Sequence, residues 1–334
     1  MSDRIAPIID VVIPVYNAPE LTRRCIDSVV THLSPSIRTI HIQNDASAEE
    51  TRIMLDRLPY PQVKVFHAPV NQGFGKSVND AVSRSDAELV LVLNSDLEMS
   101  GNFLPLLCAA LAADPRLAVI SPSETAMPQE KINRYQRQPG GYLTTYRFRG
   151  YGFLIRRTVF QALGGFDPQF GRGYYEDTDL GRRLDQQGWR MGLHPEAVVQ
   201  HKTGASFGRG KAYRELVERN RNLYFSRYPL ARQNVLVVSG MAAPAELTDA
   251  IEQVMRQGGR LHWLTPNRLE KLSCLQMLNS ELSLRGLLKI LLRGWSREDK
   301  RITAIWLLPP VALWARALLA VFGRLRGLAI RRWQ

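Results

Sequence analysis

Cysteine is scarce: Cys25, Cys108 and Cys274 are the only three in 334 residues, far apart and each inside an apolar stretch. Such spacing supports neither a disulfide framework nor a zinc knuckle. The opening residues, MSDRIAPI, lack a basic start followed by an apolar run of signal-peptide length, so the protein is expected to work in the cytosol. No internal repeat or low-complexity tract is present. With 45% apolar and 22% charged residues the chain is not a disordered one. Its length allows two domains, or one large α/β domain with an appendage.

Acidic residues are outnumbered, 31 against 44 Lys and Arg, for a net charge of +13. The excess is unevenly spread. From Arg285 to the end, eleven basic residues face two acidic ones, a net +9 that leaves +4 for residues 1–284. A main body so mildly basic gives no reason to expect a nucleic-acid partner.

Over the first 120 residues short β-rich runs (Asp10–Tyr16, Arg38–Gln43, Val63–His67, Glu88–Leu93, Leu117–Ser121) alternate with helix-like segments. Alternation of this kind predicts an α/β fold with a mostly parallel sheet flanked by helices. In Pro19–Leu33, Leu21, Cys25, Val29 and Leu33 recur every four residues, the stripe of a helix packed on a sheet. From Ser123 to Arg147 the pattern breaks into polar, Pro- and Gly-containing sequence, a candidate substrate loop. After His201 a polar helix, Lys211–Tyr228, leads to a small β-α-β-like unit, Asn234–Val238, Ala245–Gln257 and Arg260–Leu264, with Gly258-Gly259 closing its helix.

Ligands of open parallel sheets bind beyond the carboxyl ends of the strands, so acids placed there are read first. Asp45 follows the second strand and either caps the next helix or contacts a nucleotide. Asp96 follows the unbroken apolar run Leu89–Leu93 and either forms a turn or holds a divalent cation. Asn71-Gln72-Gly73-Phe74-Gly75-Lys76 is a glycine-bearing turn opening a helix, without the spacing of a Walker loop. Glu176, Asp177 and Asp179 crowd one helix start after two tyrosines. For Asp179 complementing the helix dipole suffices, whereas Glu176 and Asp177 fit a cleft. His201 ends an apolar strand, as an ordinary polar residue or a metal ligand.

Taken in order, Val11 to Asn17, Asn44-Asp45-Ala46-Ser47, Asn71-x-Gly73, Leu93-Asn94-Ser95-Asp96, Gly164-Gly165-Phe166-Asp167, Glu176-Asp177-x-Asp179-Leu180 and His201 resemble the inverting GT-A-fold glycosyltransferases of family 2. The resemblance covers about residues 8–228. It implies that Pro14, Tyr16, Asn17 and Asp45 hold the nucleotide base, with Gly73 and Lys76 near the ribose or phosphates. Asn94 and Asp96 occupy the family's metal-binding tripeptide, whose first position is Asn here rather than Asp. Asp96 and His201 would then ligate Mn²⁺ or Mg²⁺, with Asp177 as the base, Glu176 as the alternative, and Tyr174 and Tyr175 near the acceptor. Implied partners are a nucleoside-diphosphate sugar of UDP or dTDP type and a glycan or lipid-linked acceptor in cell-surface polysaccharide synthesis.

On this reading residues 1–228 form the transferase domain, with a nucleotide-sugar half (1–122) and an acceptor half (123–228). Residues 229–270 form a small α/β extension, and 271–334 basic amphipathic helices. Two other readings compete. A sugar-nucleotide pyrophosphorylase needs a basic Gly-rich loop after the first strand, where this chain has Pro14 to Pro19. A catalytically inactive nucleotide-sugar binder recruited to membranes would have lost the base or metal residues.

In the tail, Ile302–Phe322 is 21 residues with one charge, long enough to span a bilayer. Pro309-Pro310 and basic flanks on both sides argue against a span. From Val311 onward Trp314, Leu318, Val321, Phe322, Leu325 and Leu328 share one helical face opposite Arg316. The segment is therefore expected to lie in the interface of an anionic membrane, with Leu282–Leu292 as a second such helix, at the cytoplasmic leaflet.

Overall fold

A computed structural model describes residues 7–202, 210–240, 245–266, 271–296 and 300–333. The opening residues 1–6 and the tail charges Arg297, Glu298 and Asp299 lie outside the described residues. The chain forms two compact units, residues 1–128 with 137–224, and residues 129–136 with 225–334.

In the first unit β1 (Ile9–Val15), α1 (Pro19–Leu33), β2 (Thr39–Asn44), α2 (Glu49–Asp56), β3 (Val63–His67), α3 (Phe74–Ser83) and β4 (Leu89–Leu93) alternate. Their strands pair in parallel in the order β3-β2-β1-β4. Every residue of β1 and β4 is buried, which is why β4 is an unbroken apolar run and β1 is apolar but for Asp10, whose carboxylate is met by Arg38 and Ser85: helices cover both faces. Next come β5 (Leu97–Met99), α4 (Leu104–Ala113), β6 (Leu117–Ser123) and the short α5 (Gln129–Ile132). They are followed by β7 (Leu143–Thr144), β8 (Gly152–Arg156), α6 (Arg157–Ala162), α7 (Glu176–Gln186), β9 (Arg190–His201) and α8 (Lys211–Arg227).

β8 lies antiparallel between β4 and β6, and β9 pairs parallel with β6 but antiparallel with β5 and β7. The sheet is thus parallel in its first half and mixed in its second. Helices α1, α2 and α4 pack on one face, and α3, α6 and α7 on the other.

The second unit holds β10 (Asn234–Ser239), α9 (Ala245–Arg256), β11 (Arg260–Thr265), β12 (Asn279–Glu281), α10 (Leu284–Ser296), β13 (Ala304–Leu308), α11 (Leu313–Arg326) and β14 (Ile330–Arg332). Its five strands are all parallel, in the order β12-β11-β10-β13-β14. This is a doubly wound arrangement, with the order reversing between β10 and β13. One sheet therefore crosses the boundary expected at residue 270, and the α/β extension and the tail form a single unit.

The apolar segment Ile302–Phe322 is not one interfacial helix. It forms β13, a turn through the cis Pro309-Pro310 bond and the first part of α11. Apolar residues are needed there because β13 sits between β10 and β14, with Ile305, Leu307 and Leu308 buried and Ala315, Leu319 and Phe322 of α11 packed in one cluster with Ile305 and Leu307. Among the described residues no helix is long and apolar enough to cross a membrane.

Part of the expected substrate loop is also ordered elsewhere. Residues 129–136 belong to the second unit, where Leu272 N donates to Arg134 O (2.8 Å) and Gln136 N to Leu272 O (2.9 Å).

Candidate active site

The site grows from the carboxyl ends of the first unit's strands. After β1 the backbone turns through Asn17 and Ala18 with φ of 58° and 52°. Two bonds lock this turn to the loop after β2: Asn17 N donates to Ser47 Oγ (2.8 Å) and Ala48 N to Asn17 Oδ1 (2.8 Å). Pro14 is buried in the strand, and the Tyr16 ring stands 40% exposed beside it.

Asp45 does not cap α2, whose N-cap is Ala48. Its two oxygens accept Gln72 N (2.7 Å) and Gly73 N (2.8 Å), clamping the glycine turn onto the end of β2. Gly73 has φ of 89°, and a Cβ there would lie 2.5 Å from Gly171 O and Arg172 Cα, so only glycine fits. Lys76 is exposed in the first turn of α3 and donates to Gln72 Oε1.

Beyond β4, Asn94 N donates to Tyr151 O (2.8 Å), and the antiparallel pairing of β5 with β9 sets Leu97 opposite His201. That register brings His201 Nε2 to 3.2 Å from Asp96 Oδ1, a buried oxygen without a hydrogen-bond partner. On the other side of the ring Nδ1 lies 2.8 Å from Glu124 Oε1, and the Tyr151 ring packs at 5.3 Å between centroids. Asp96 first, and Glu124 after it, raise the proton affinity of His201 against the opposing effect of burial. Without a metal the ring sits between two carboxylates and favours its protonated form; with a cation bound, Nδ1–H donated to Glu124 would leave the Nε2 lone pair free to ligate it. An orphaned carboxylate oxygen beside an oriented imidazole fits a divalent cation. No group of three or more ligating side chains exists among the described residues, so a cation there would complete its shell from substrate phosphates and water.

Glu176 and Asp177 open α7, after a loop in which Tyr174 and Tyr175 take φ of 71° and 72°. Glu176 is 8% exposed and its Oε2 has no partner. Burial, with the neighbouring Asp177 charge second, pushes it up to about 8. Burial also raises Asp177, opposed by Thr178 N (2.6 Å), Thr178 Oγ1 (3.2 Å) and the Gly150 amide. Donors around Asp177 favour its charged form, and the unpartnered Glu176 oxygen favours a proton on Glu176. A Cβ on Gly150 would sit 2.9 Å from Asp177 Oδ2, so the loop before Tyr151 crosses directly over this carboxylate. The Gly150-Tyr151 step thus links Asp177 to the His201–Asp96 pair.

Tyr174 and Tyr175 pack edge-on or tilted against Tyr213 and Tyr224. Asp179, expected only to complement the helix dipole, is buried and binds Arg183 (2.8 Å), whose guanidinium also reaches Leu163 O and Gly165 O. Sequence reasoning missed two residues. Glu124 sits in an irregular segment with no motif. Asn220, fully buried in α8, donates to Phe170 O (2.7 Å), Gly173 O (2.7 Å) and Tyr174 O (3.0 Å), holding the loop that carries Glu176.

All five non-glycine residues with positive φ among the described residues, Asn17, Ala18, Ala46, Tyr174 and Tyr175, lie in these loops. Strain of this kind persists only where the surroundings over-determine it, and it collects at working sites.

A parallel nucleotide-type half joined to a mixed half, with carboxylates at the strand exits of both, defines the GT-A class of glycosyltransferase fold. Residues 10–171, a little under half of the chain, match the model of Glycosyl transferase family 2. An N-acetylglucosaminyl-diphospho-decaprenol L-rhamnosyltransferase of Mycobacterium tuberculosis is 27% identical over 200 residues, 46% of this chain and 63% of that protein. The match thus spans less than two thirds of that relative. The O-antigen biosynthesis protein RfbC of Myxococcus xanthus is 25% identical over 232 residues, 61% of this chain and 18% of that one.

Among solved structures, the mannosyltransferase PcManGT of Pyrobaculum calidifontis in complex with GDP-Man and Mn²⁺ aligns with a TM-score of 0.52. It is 16% identical, over 96% of this chain and 81% of that one. GalNAc-T7 with UDP, GalNAc and Mn²⁺ aligns at 0.52 and 17% identity, over 68% and 52%. At such identities these two likenesses concern the fold.

Proposed function

We propose that the protein is an inverting, metal-dependent glycosyltransferase that moves a hexosyl unit from a nucleoside-diphosphate sugar to a hydroxyl of a glycan or lipid-linked glycan acceptor. The single observation that carries the reading is the pairing of Asp177 under Gly150 with the Glu124–His201–Asp96 array one residue further along the same loop, at Tyr151. A lipid-linked acceptor is supported by the lipid-diphosphate substrate named for the mycobacterial relative, whereas a UDP or dTDP donor and the cytoplasmic leaflet rest on the sequence resemblance and the basic tail.

In this reading Asp45, Asn17 and the turn at Gly73 shape the nucleotide pocket, with Pro14 and Tyr16 along its wall, Asn94 at its floor and Lys76 near the phosphates. Asp96 and His201 would hold Mn²⁺ or Mg²⁺, the imidazole nitrogen favouring Mn²⁺, and a cation held there would supply positive charge to offset the negative charge growing on the leaving diphosphate. Asp177 takes the proton of the acceptor hydroxyl as its oxygen bonds to the anomeric carbon and the bond to the diphosphate breaks on the opposite face. A single displacement inverts that carbon. Burial raises the proton affinity of Asp177, which makes it a better acceptor than an exposed aspartate.

The test is Asp177→Asn, which keeps shape but cannot accept the proton. Turnover is expected to vanish while donor affinity, read by calorimetry with Mn²⁺ present, stays within about twofold of the parent. Normal turnover with lost donor affinity would remove Asp177 from the role of base and pass it to Glu176.

A further inference from the structure

The second unit has two faces of opposite character. A right-handed connection from β10 to β11 and connections in the other direction from β12 through β13 to β14 place α9 on one side of the sheet and α10 with α11 on the other. The core agrees: Leu287 and Leu291 of α10 and Ala315, Leu319 and Phe322 of α11 pack together on the same sheet residues, among them Leu236, Val238 and Ile305.

Outward, α10 carries two adjacent rows at helical spacing. One is Leu284, Leu288 and Leu292, which are 56%, 36% and 60% exposed; the other is Arg285, Lys289 and Arg293. Helix α11 repeats the design, with Leu313, Trp314, Val321 and Leu325 exposed beside Arg316 and Arg324. Neither helix contains an acidic residue, whereas α9 carries Glu246, Asp249 and Glu252 against Arg256. Between α11 and the edge strand β14, an open groove of about 710 Å³ is lined by Leu313, Ala317, Ala320 and Ile330 together with Arg316 and Arg332. Apolar walls with two guanidiniums suit a phosphate-bearing amphiphile better than a sugar or a nucleotide.

From these observations we infer that the α10–α11 face is a docking surface for an anionic lipid bilayer. Its leucine rows enter the headgroup boundary, its cations meet lipid phosphates, and the groove at Arg316 and Arg332 takes one lipid headgroup with part of its chain. The inference goes beyond the catalytic reading, from which it differs in unit, residues and ligand. It keeps the two interfacial helices expected from the sequence but makes them one face of a folded unit, with their remaining apolar residues committed to a core. Charge selects the occupant. A second copy of the chain would set cation rows against cation rows, and a nucleic acid would leave the leucines without a partner.

The experiment is flotation of the full chain with vesicles of phosphatidylcholine alone or mixed with phosphatidylglycerol, without donor, metal or acceptor. The chain is expected to float with the mixed vesicles and to stay behind with phosphatidylcholine. Lys289→Glu with Arg324→Glu should weaken partitioning at least about tenfold. Leu288→Ser with Val321→Ser should also weaken it, and that residual binding should be the more salt-sensitive. Unchanged melting temperatures establish that the variants fold, as expected for exposed positions. Failure of the parent chain to float at low salt would overturn the inference. So would a dimer in light scattering that Leu288→Ser with Val321→Ser dissociates, or duplex DNA competing the chain off the vesicles. None of these results bears on Asp177 or on transfer to a soluble acceptor, so failure here and failure of the catalytic reading are separable.

Discussion

Asn220 offers a measurable link between one buried amide and catalysis. Its Nδ2 hydrogens serve three carbonyls, of Phe170, Gly173 and Tyr174, in the loop that ends at Glu176. Asn220→Ala removes these donors and leaves the carbonyls in a space that no side chain refills. At about 1 kcal/mol for each lost bond, the first unit should lose about 3 kcal/mol. The effect on turnover should be separate and larger than the loss of folded protein. Tyr174 and Tyr175 hold left-handed backbone at a cost of about 1–3 kcal/mol each, and without Asn220 the loop can relax toward ordinary φ values and shift Asp177. A misplacement on the order of 1 Å costs about 100-fold, so kcat should fall by about that factor while donor KM changes little, because the Asp45 clamp is untouched. Asn220→Asp separates donors from volume: it fills the same space, sets a carboxyl against three carbonyls, and should be no better than alanine. Urea unfolding of the first unit and steady-state kinetics under folding conditions are the assays. Parental kcat together with a stability loss below about 1 kcal/mol would refute the argument that Asn220 holds the loop.

Two further outcomes follow from the site. Glu124→Ala should weaken Mn²⁺ binding about tenfold by calorimetry, because His201 loses the partner that orients its ring, while nucleotide binding without metal stays unchanged. Glu176, raised to about 8 in the folded chain against 4.5 for an ordinary glutamate, binds more protons folded than unfolded between those values. Stability should therefore fall as pH rises through that window. Melting temperatures at about pH 5 and about pH 8 should show a smaller drop for Glu176→Gln, and an unchanged drop would place the slope elsewhere.

The early strands were legible because each is a short β-rich run with punctuation at both ends. Val63–His67 is found as expected, and the other four differ only by one or two residues at an end. Site residues that sit within their own motif were likewise visible. Partnerships across the chain were not: local sequence leaves Asp45 open between a helix cap and a nucleotide contact, and only the fold shows the turn 27 residues away donating to it. Asn220 lies between two arginines on a polar helix, with nothing local to mark it as buried. In the tail, β12 and β14 are only three residues long and give almost no periodic signal. Without those neighbours β13 is indistinguishable from the start of an apolar helix.

The placement of residues 129–136 has a practical bearing on any attempt to exchange parts between relatives. That segment lies between β6 and β7 of the first unit, yet Arg134 and Gln136 hydrogen-bond with Leu272 of the second. The polypeptide thus leaves the first unit, contributes a piece to the second, and returns before β7. A chimaera joined once, near Tyr224, would pair the recipient's 129–136 with a foreign 272 region, and a C-terminal truncation there would leave that piece behind as an orphan. Removing the chain from Arg301 is no gentler, since it extracts β13 from beside β10 in the middle of the sheet. A transplant that respects the architecture needs three junctions, two flanking 129–136 and one after Tyr224.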